Sequence, residues 1–146
     1  VAPKILTPAV YARALLMAGV DLLDEPDGPM DDAVLAQYRV GIYIGCDFAG
    51  EVHYVGSVCR PDQEGGLLKR PSEHDRDRRG AWRSIWGVPL RETTPRALVH
   101  AIEGDLIDYL RPRHNLKRHA PISLAQRDVL RLAARELDTL RHADMP

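Results

Sequence analysis

The sequence predicts an α+β domain, and three observations carry that prediction. Two short β-branched and aromatic runs, Val40–Cys46 and Val52–Val58, flank a turn near Phe48-Ala49-Gly50 and read as a hairpin. Two later stretches, one after Thr94 and one after Ser123, place apolar residues at helical spacing. The chain has 146 residues, 45% of them hydrophobic, which suits one core of ordinary domain size.

The elements follow in order. From Pro8 to Leu23, Val10, Leu15, Leu16, Val20 and Leu23 recur at helical spacing, with Thr7 as N-cap and Pro8 in the first turn. "DEPDGPMDD", Asp24 to Asp32, is acidic and rich in Pro and Gly, hence a loop, and residues 33–38 suit a short second helix. After the hairpin, "RPDQEGG" from Arg60 is loop-like, and "LLKRPSEHDRDRRGAW" is compatible with helix but interrupted by Pro71. Arg83–Leu90 reads as a third strand. Thr94 as N-cap and Pro95 at the first position open a helix that runs to Arg111, where Pro112 stops it. Ser123 and Gln126 form a capping box ahead of a last helix with an apolar stripe of Leu130, Ala133, Leu137 and Leu140. No internal repeat is present. The expected organisation is a helical extension and acidic loop over 1–38, a core over 39–120 and a C-terminal helix over 121–146 packed on that core, one domain in all.

Composition narrows the class further. No run approaches the ~18 apolar residues of a membrane span, and the opening "VAPKILTPAVYARALL" has neither the charged flank nor the cleavage pattern of a signal peptide. The expectation is a cytoplasmic protein with no membrane partner. Cys46 and Cys59 sit on the two hairpin strands facing residues far from each other, so they read as small packed side chains in a reducing compartment. Net charge is −1, but residues 1–50 hold three Lys/Arg against seven Asp/Glu, whereas residues 51–146 hold seventeen against fourteen. Basic clusters at Lys69-Arg70, Arg76, Arg78-Arg79, Arg83, Arg111, Arg113 and Lys117-Arg118 either follow phosphates or form a solvated face of mixed charge.

Two tyrosines focus the search for chemistry. With the turn at Phe48-Ala49-Gly50, paired positions sum to about 97, which sets Tyr43 and Tyr54 opposite each other or on adjacent rungs. Their phenols then converge on one patch of a sheet face, either as a stacked pair closing the hairpin or as part of a site. Glu103 lies in the middle of the helix after Thr94, bordered by Val99, Leu106, Ile107 and Leu110. A carboxylate against an apolar stripe needs a cation or a strong donor. Either it holds Mg²⁺ together with waters and phosphate oxygens, or it is an exposed acid at the margin of the stripe, paired with Arg111 or another surface base.

Taken together, Gly41-Ile42-Tyr43, ten intervening residues, Tyr54-Val55-Gly56, Arg70 and His74 four apart in "LLKRPSEH", Glu103 on a helix and Asn115 in "LRPRHN" resemble the GIY-YIG nuclease family. The resemblance covers Val40 to Asn115 and is closest to the type II restriction-endonuclease branch. It implies a small three-stranded antiparallel sheet flanked by helices, with N-terminal and C-terminal helical extensions, that hydrolyses phosphodiesters of duplex DNA with Mg²⁺ or Mn²⁺. Carried over by resemblance, Tyr43 and Tyr54 position and activate the attacking water, and Arg70 stabilises charge on the phosphate. His74 assists deprotonation, Glu103 holds the metal and Asn115 orients the network. Lys69, Arg76, Arg79, Arg83 and Lys117 are the implied DNA contacts.

The sequence also departs from the family pattern. Many members carry Lys directly after the second motif, where this chain has Ser57, which makes His74 the candidate substitute. "RPDQEGG" lengthens the segment before Arg70, and Arg60 is a rival for the catalytic arginine. Arg70 is preferred because only it has His74 one helical turn later. His53, His100, His114, His119 and His142 read as structural or surface residues, and Trp82 and Trp86 as core rather than base-stacking platforms. Arg127, Arg131 and Arg135 make a basic face that either lies on DNA or is solvated. Cutting both strands favours a homodimer. The rival functions are a repair, mobile-element or structure-specific nuclease, and a DNA-binding module of the same fold that has lost activity.

Overall fold

All seven residues of the strand Val40–Cys46 (β1) are buried, which is what a central strand covered on both faces requires. In the computed structural model, which describes residues 2–20, 28–70, 82–114 and 121–143, β1 is flanked by Val52–Cys59 (β2) and Ser84–Pro89 (β3). Both neighbours are antiparallel to it, in the order β2-β1-β3. The chain is therefore α+β with a three-stranded antiparallel sheet. The helices are Pro8–Ala18 (α1), Asp32–Leu35 (α2), residues 66–70 (α3), Arg96–Leu110 (α4) and Leu124–Ala143 (α5). Among the described residues no helix is long and apolar enough to cross a membrane.

Alternation along β1 divides the interior in two. Val40, Ile42, Ile44 and Cys46 join Val55, Trp86 and Val88 in an aliphatic core closed by α1 and α4, through Leu15, Val99, Ile102 and Leu106 among others. On the opposite face Tyr43 packs with Leu35, Val58, Leu67 and Trp82 in a smaller cluster. Both tryptophans are buried, so the core reading of Trp82 and Trp86 stands. Cys46 pairs with Val52 and Cys59 with Val40, and neither is bridged.

The hairpin turn is built by Asp47, whose Oδ1 accepts from the N–H groups of Ala49 and Glu51, both at 2.9 Å. Gly50 completes the turn at φ +84°, a conformation that glycine adopts without steric cost. Cys46 then pairs with Val52, but Gly45 pairs with Tyr54, so His53 is an extra residue in β2, a β-bulge. The bulge corrects the predicted register. Tyr43 stands opposite Gly56 and Tyr54 opposite Gly45, so the tyrosines are diagonal rather than directly paired. Had the Cys46–Val52 register run on with His53 paired to Gly45, Tyr54 would fall opposite Ile44 and point into the aliphatic core.

Three helix predictions also change. α1 ends at Ala18 rather than Leu23, because Gly19 turns left-handed at φ 63° and its N–H bonds back to the carbonyls of Leu15 and Leu16. Pro95, not Thr94, is the N-cap of α4, which has no side-chain cap; Thr94 is instead buried. The capping box of α5 forms as expected, with Gln126 N–H donating to Ser123 Oγ at 3.1 Å and Ser123 N–H to Gln126 Oε1 at 3.0 Å. Only the first half of its apolar stripe meets the core: Leu130 packs against it and Ala133 is half-buried. Leu137 and Leu140 are 51% and 56% exposed, and Ala134 is the one buried residue of the helix. Polar groups add to this docking: Arg127 bridges to Asp105, Arg91 to Asp138 at 2.5 Å, and Thr93 Oγ1 donates to the Ala134 carbonyl at 2.6 Å. Of the basic face read for Arg127, Arg131 and Arg135, the first two are engaged within the chain, Arg131 contacting Asp128 and the Gly19 carbonyl, and Arg135 is exposed.

Candidate active site

Two glycines shape the phenol face. A Cβ on Gly56 would overlap the Tyr43 ring and hydroxyl and come within 2.7 Å of Tyr54 Cε1. A Cβ on Gly45 would strike the Trp82 ring. With both positions empty of side chain, Tyr43, Tyr54 and Trp82 lie over the strands as one aromatic group. The two tyrosine rings are 6.1 Å apart at 27°, and Tyr54 stacks on Trp82 at 5.7 Å and 22°. Gly56 and Gly45 are therefore packing requirements of the neighbouring rings, whereas a Cβ on Gly41 would strike the Val88 carbonyl of β3.

Glu103 approaches from the other side of the sheet. Ser57 pairs with Ile42 and shares its face, the face that α4 covers, and the Ser57 hydroxyl donates to the Glu103 carboxylate. The two phenols share one face, as the hairpin predicts, whereas the carboxylate comes from the opposite face. They meet because β2 is an edge strand. Its turn end is covered by the Ile5–Glu51 bridge and by the N–H groups of Arg113 and His114, which donate to the carbonyls of Val52 and His53 at 3.1 and 2.8 Å. Beyond that cover, a polar cleft of about 330 Å³ opens along β2, lined by Tyr43, Tyr54, Ser57, Arg60, Arg70, Arg96, His100 and Glu103, together with Val58 and Cys59.

Burial sets the protonation states. Glu103 is 7% exposed, and removal from water pushes its carboxyl up to about 7, with the Ser57 hydrogen bond opposing. It is neither exposed nor placed at the margin of the stripe, so the alternative of a surface pair with Arg111 does not hold. Tyr43 is 1% exposed. Burial drives its phenol well above the ordinary value, Tyr54 and Glu103 raise it further, and the charge and hydrogen bond of Arg70 act the other way. Tyr43 therefore keeps its proton at neutral pH while its oxygen accepts from Arg70.

Of the residues singled out from sequence, the cleft brings together Tyr43, Tyr54, Arg70 and Glu103. Arg60 lines it too, but Arg70 is the arginine that hydrogen-bonds Tyr43. Lys69 is exposed beside Arg70, and Arg83 is exposed just before β3, its N–H bonded to the Cys46 carbonyl at 2.7 Å and away from the cleft lining. His74, Asn115, Arg76, Arg79 and Lys117 lie outside the described residues. Three lining residues were missed. Ser57 was read only as a missing lysine, His100 as a surface histidine, and Arg96 not at all. The signal was present: Arg96, His100 and Glu103 are four and three residues apart, one face of a helix.

Among the described residues no three His, Cys, Asp or Glu side chains cluster as a ready-made metal cage. A single buried carboxylate in an otherwise cationic, water-accessible cleft does fit a hard divalent ion of the Mg²⁺ type, which commonly takes one or two carboxylates and completes its shell with waters and phosphate oxygens. The cleft as a whole can bind a phosphate, place an arginine and two phenols around it, and hold one cation. Compared with family models, curated proteins and solved structures, the chain matches none.

Proposed function

We propose that this chain is a metal-dependent endonuclease of the GIY-YIG type that hydrolyses phosphodiesters of duplex DNA, in the manner of the restriction branch. The observation that carries the reading is the meeting of two tyrosines, an arginine and a buried carboxylate, from β1, β2, α3 and α4, in one polar cleft. Diester hydrolysis forms a bond from water oxygen to phosphorus and breaks the bond to one ester oxygen, and negative charge accumulates on the non-bridging oxygens between the two events. The Arg70 guanidinium is the group that neutralises this charge. Glu103 would hold the divalent ion, which when bound supplies further charge stabilisation and a more acidic water.

The two phenols divide the remaining work. Tyr43 is buried, protonated and tethered to Arg70, so it orients the arginine and donates its own hydrogen bond. Tyr54 is only half-buried against Trp82 and is the phenol open to the attacking water. Ser57 fixes the Glu103 carboxylate, a role unlike that of the lysine common at this position in the family. One cleft per chain cuts one strand, so scission of both strands takes a two-fold pair of chains. Sizing with a cleavable duplex in solution should then show two chains per duplex, and monomers alone during double-strand cutting would remove the pair.

Incubating the protein with plasmid and genomic DNA, with and without Mg²⁺ or Mn²⁺, tests the reading. The expected result is metal-dependent nicked and linear plasmid, with discrete genomic fragments if the restriction comparison is right. Cutting confined to branched DNA would move the assignment to a structure-specific nuclease, and intact DNA under all conditions would overturn it.

A further inference from the structure

We propose that the cleft holds two successive phosphates of one nucleic-acid strand, the scissile one at Arg70 and its neighbour at Arg60, Arg96 and His100. This rests on the nuclease reading for the first phosphate and adds the second. Arg70 already supplies a guanidinium beside the phenols. Yet two more arginines and an imidazole line the same cleft, against a single carboxylate.

Their placement is ordered rather than scattered. Arg96 donates from Nη2 to the Cys59 carbonyl at 3.2 Å, which ties the first residue of α4 to the end of β2 and brings its guanidinium beside Arg60. His100 follows one turn later and Glu103 almost one turn after that. At ~1.5 Å of rise per residue, the wall from Arg96 to Glu103 is about 10 Å long. A strand of B-form DNA advances ~3.4 Å per nucleotide along the duplex axis, so a wall of this length runs past more than one phosphate. That length exceeds what one phosphate occupies. The ligand class is therefore a strand lying along the β2 edge, not a mononucleotide or an isolated phosphate ester.

The test is a fluorescence-anisotropy titration of a short labelled DNA duplex, in EDTA so that no cutting occurs, over a salt series. Losing one phosphate contact should flatten the slope of log affinity against log salt by about 0.9. Arg96→Ala is expected to show that loss with a several-fold weaker affinity, and Arg96→Lys to recover the slope. Arg13→Ala, on the exposed side of α1, should leave both unchanged. If Arg96→Ala does not fold, Arg60→Ala reads the same contact. An unchanged slope in the Arg96 and Arg60 variants, an equal drop in the Arg13 variant, or no duplex binding by the unaltered protein would overturn the proposal. The nuclease reading fails separately, through a protein that binds with these slopes but never cuts when Mg²⁺ or Mn²⁺ is supplied.

Discussion

The two faces of β1 differ in what they ask of the sequence. Toward α1 and α4 the strand presents Val40, Ile42, Ile44 and Cys46, each fully buried. Branched aliphatic groups there stabilise the fold through area removed from water. The other face presents Gly41, Tyr43 and Gly45, and across from them Val58, Gly56 and Tyr54. At Gly45 and Gly56 side chains are left out so that the rings can lie flat. One face holds the domain together, and the other arranges polar groups at some cost to stability. Substitutions on the two faces should therefore separate folding from function.

The largest effect on stability belongs to the aliphatic face. Ile44→Ala removes a fully buried branched side chain and should cost about 4 kcal/mol in chemical denaturation, while any protein that remains folded keeps its cleft chemistry. Next comes the cost of burying Glu103. Its carboxyl is held at about 7 against an ordinary 4.5, so between those values the folded state binds more protons than the unfolded one. Stability should then fall as pH rises through that window, by on the order of 3 kcal/mol between about pH 4 and pH 8. Urea denaturation at several pH values, without divalent metal, would show the loss, and Glu103→Gln should flatten it and be the more stable protein at the alkaline end.

Smaller still is Gly56→Ala, where a methyl group meets the Tyr43 ring. About 2 kcal/mol of overpacking is expected. DNA cutting, measured well below the melting temperature, should fall by more than the stability change explains, because both rings must shift. The smallest effect should come from α5. Leu140→Gln, at a position 56% exposed, is expected to change stability by less than about 0.5 kcal/mol. A cost of several kcal/mol there would mean that the stripe is covered.

The contrast between the faces also marks what could be read from the sequence. The hairpin strands, the third strand and the α4 helix were legible because period-two and period-3.6 patterns and their stop signals are local. Glu103 stood out because a carboxylate bordered by Leu106, Ile107 and Leu110 violates the pattern of its own helix. The register was not legible, since it depends on how Asp47 spends its side chain on two backbone N–H groups and on the extra residue at His53. The stripe of α5 was legible only in part, Leu130 meeting the core while Leu137 and Leu140 stay exposed, for a related reason. Its apolar periodicity is strong, but salt bridges from Arg127 and Arg91 to partners distant in sequence fix which side meets the core. Arg96 and His100 were visible in spacing yet overlooked, because a helix face becomes a cleft wall only once a neighbouring strand edge is placed beside it.

The central claim is that the carboxylate delivered around the β2 edge works with the phenols on one phosphate. The most direct measurement compares the Mg²⁺-dependent cutting rate of the unaltered protein with that of Glu103→Gln, both verified as folded at the assay pH. The account predicts a fall on the order of a thousandfold in the glutamine variant, with binding of duplex DNA in EDTA retained. A glutamine variant that cuts DNA at the original rate would contradict it.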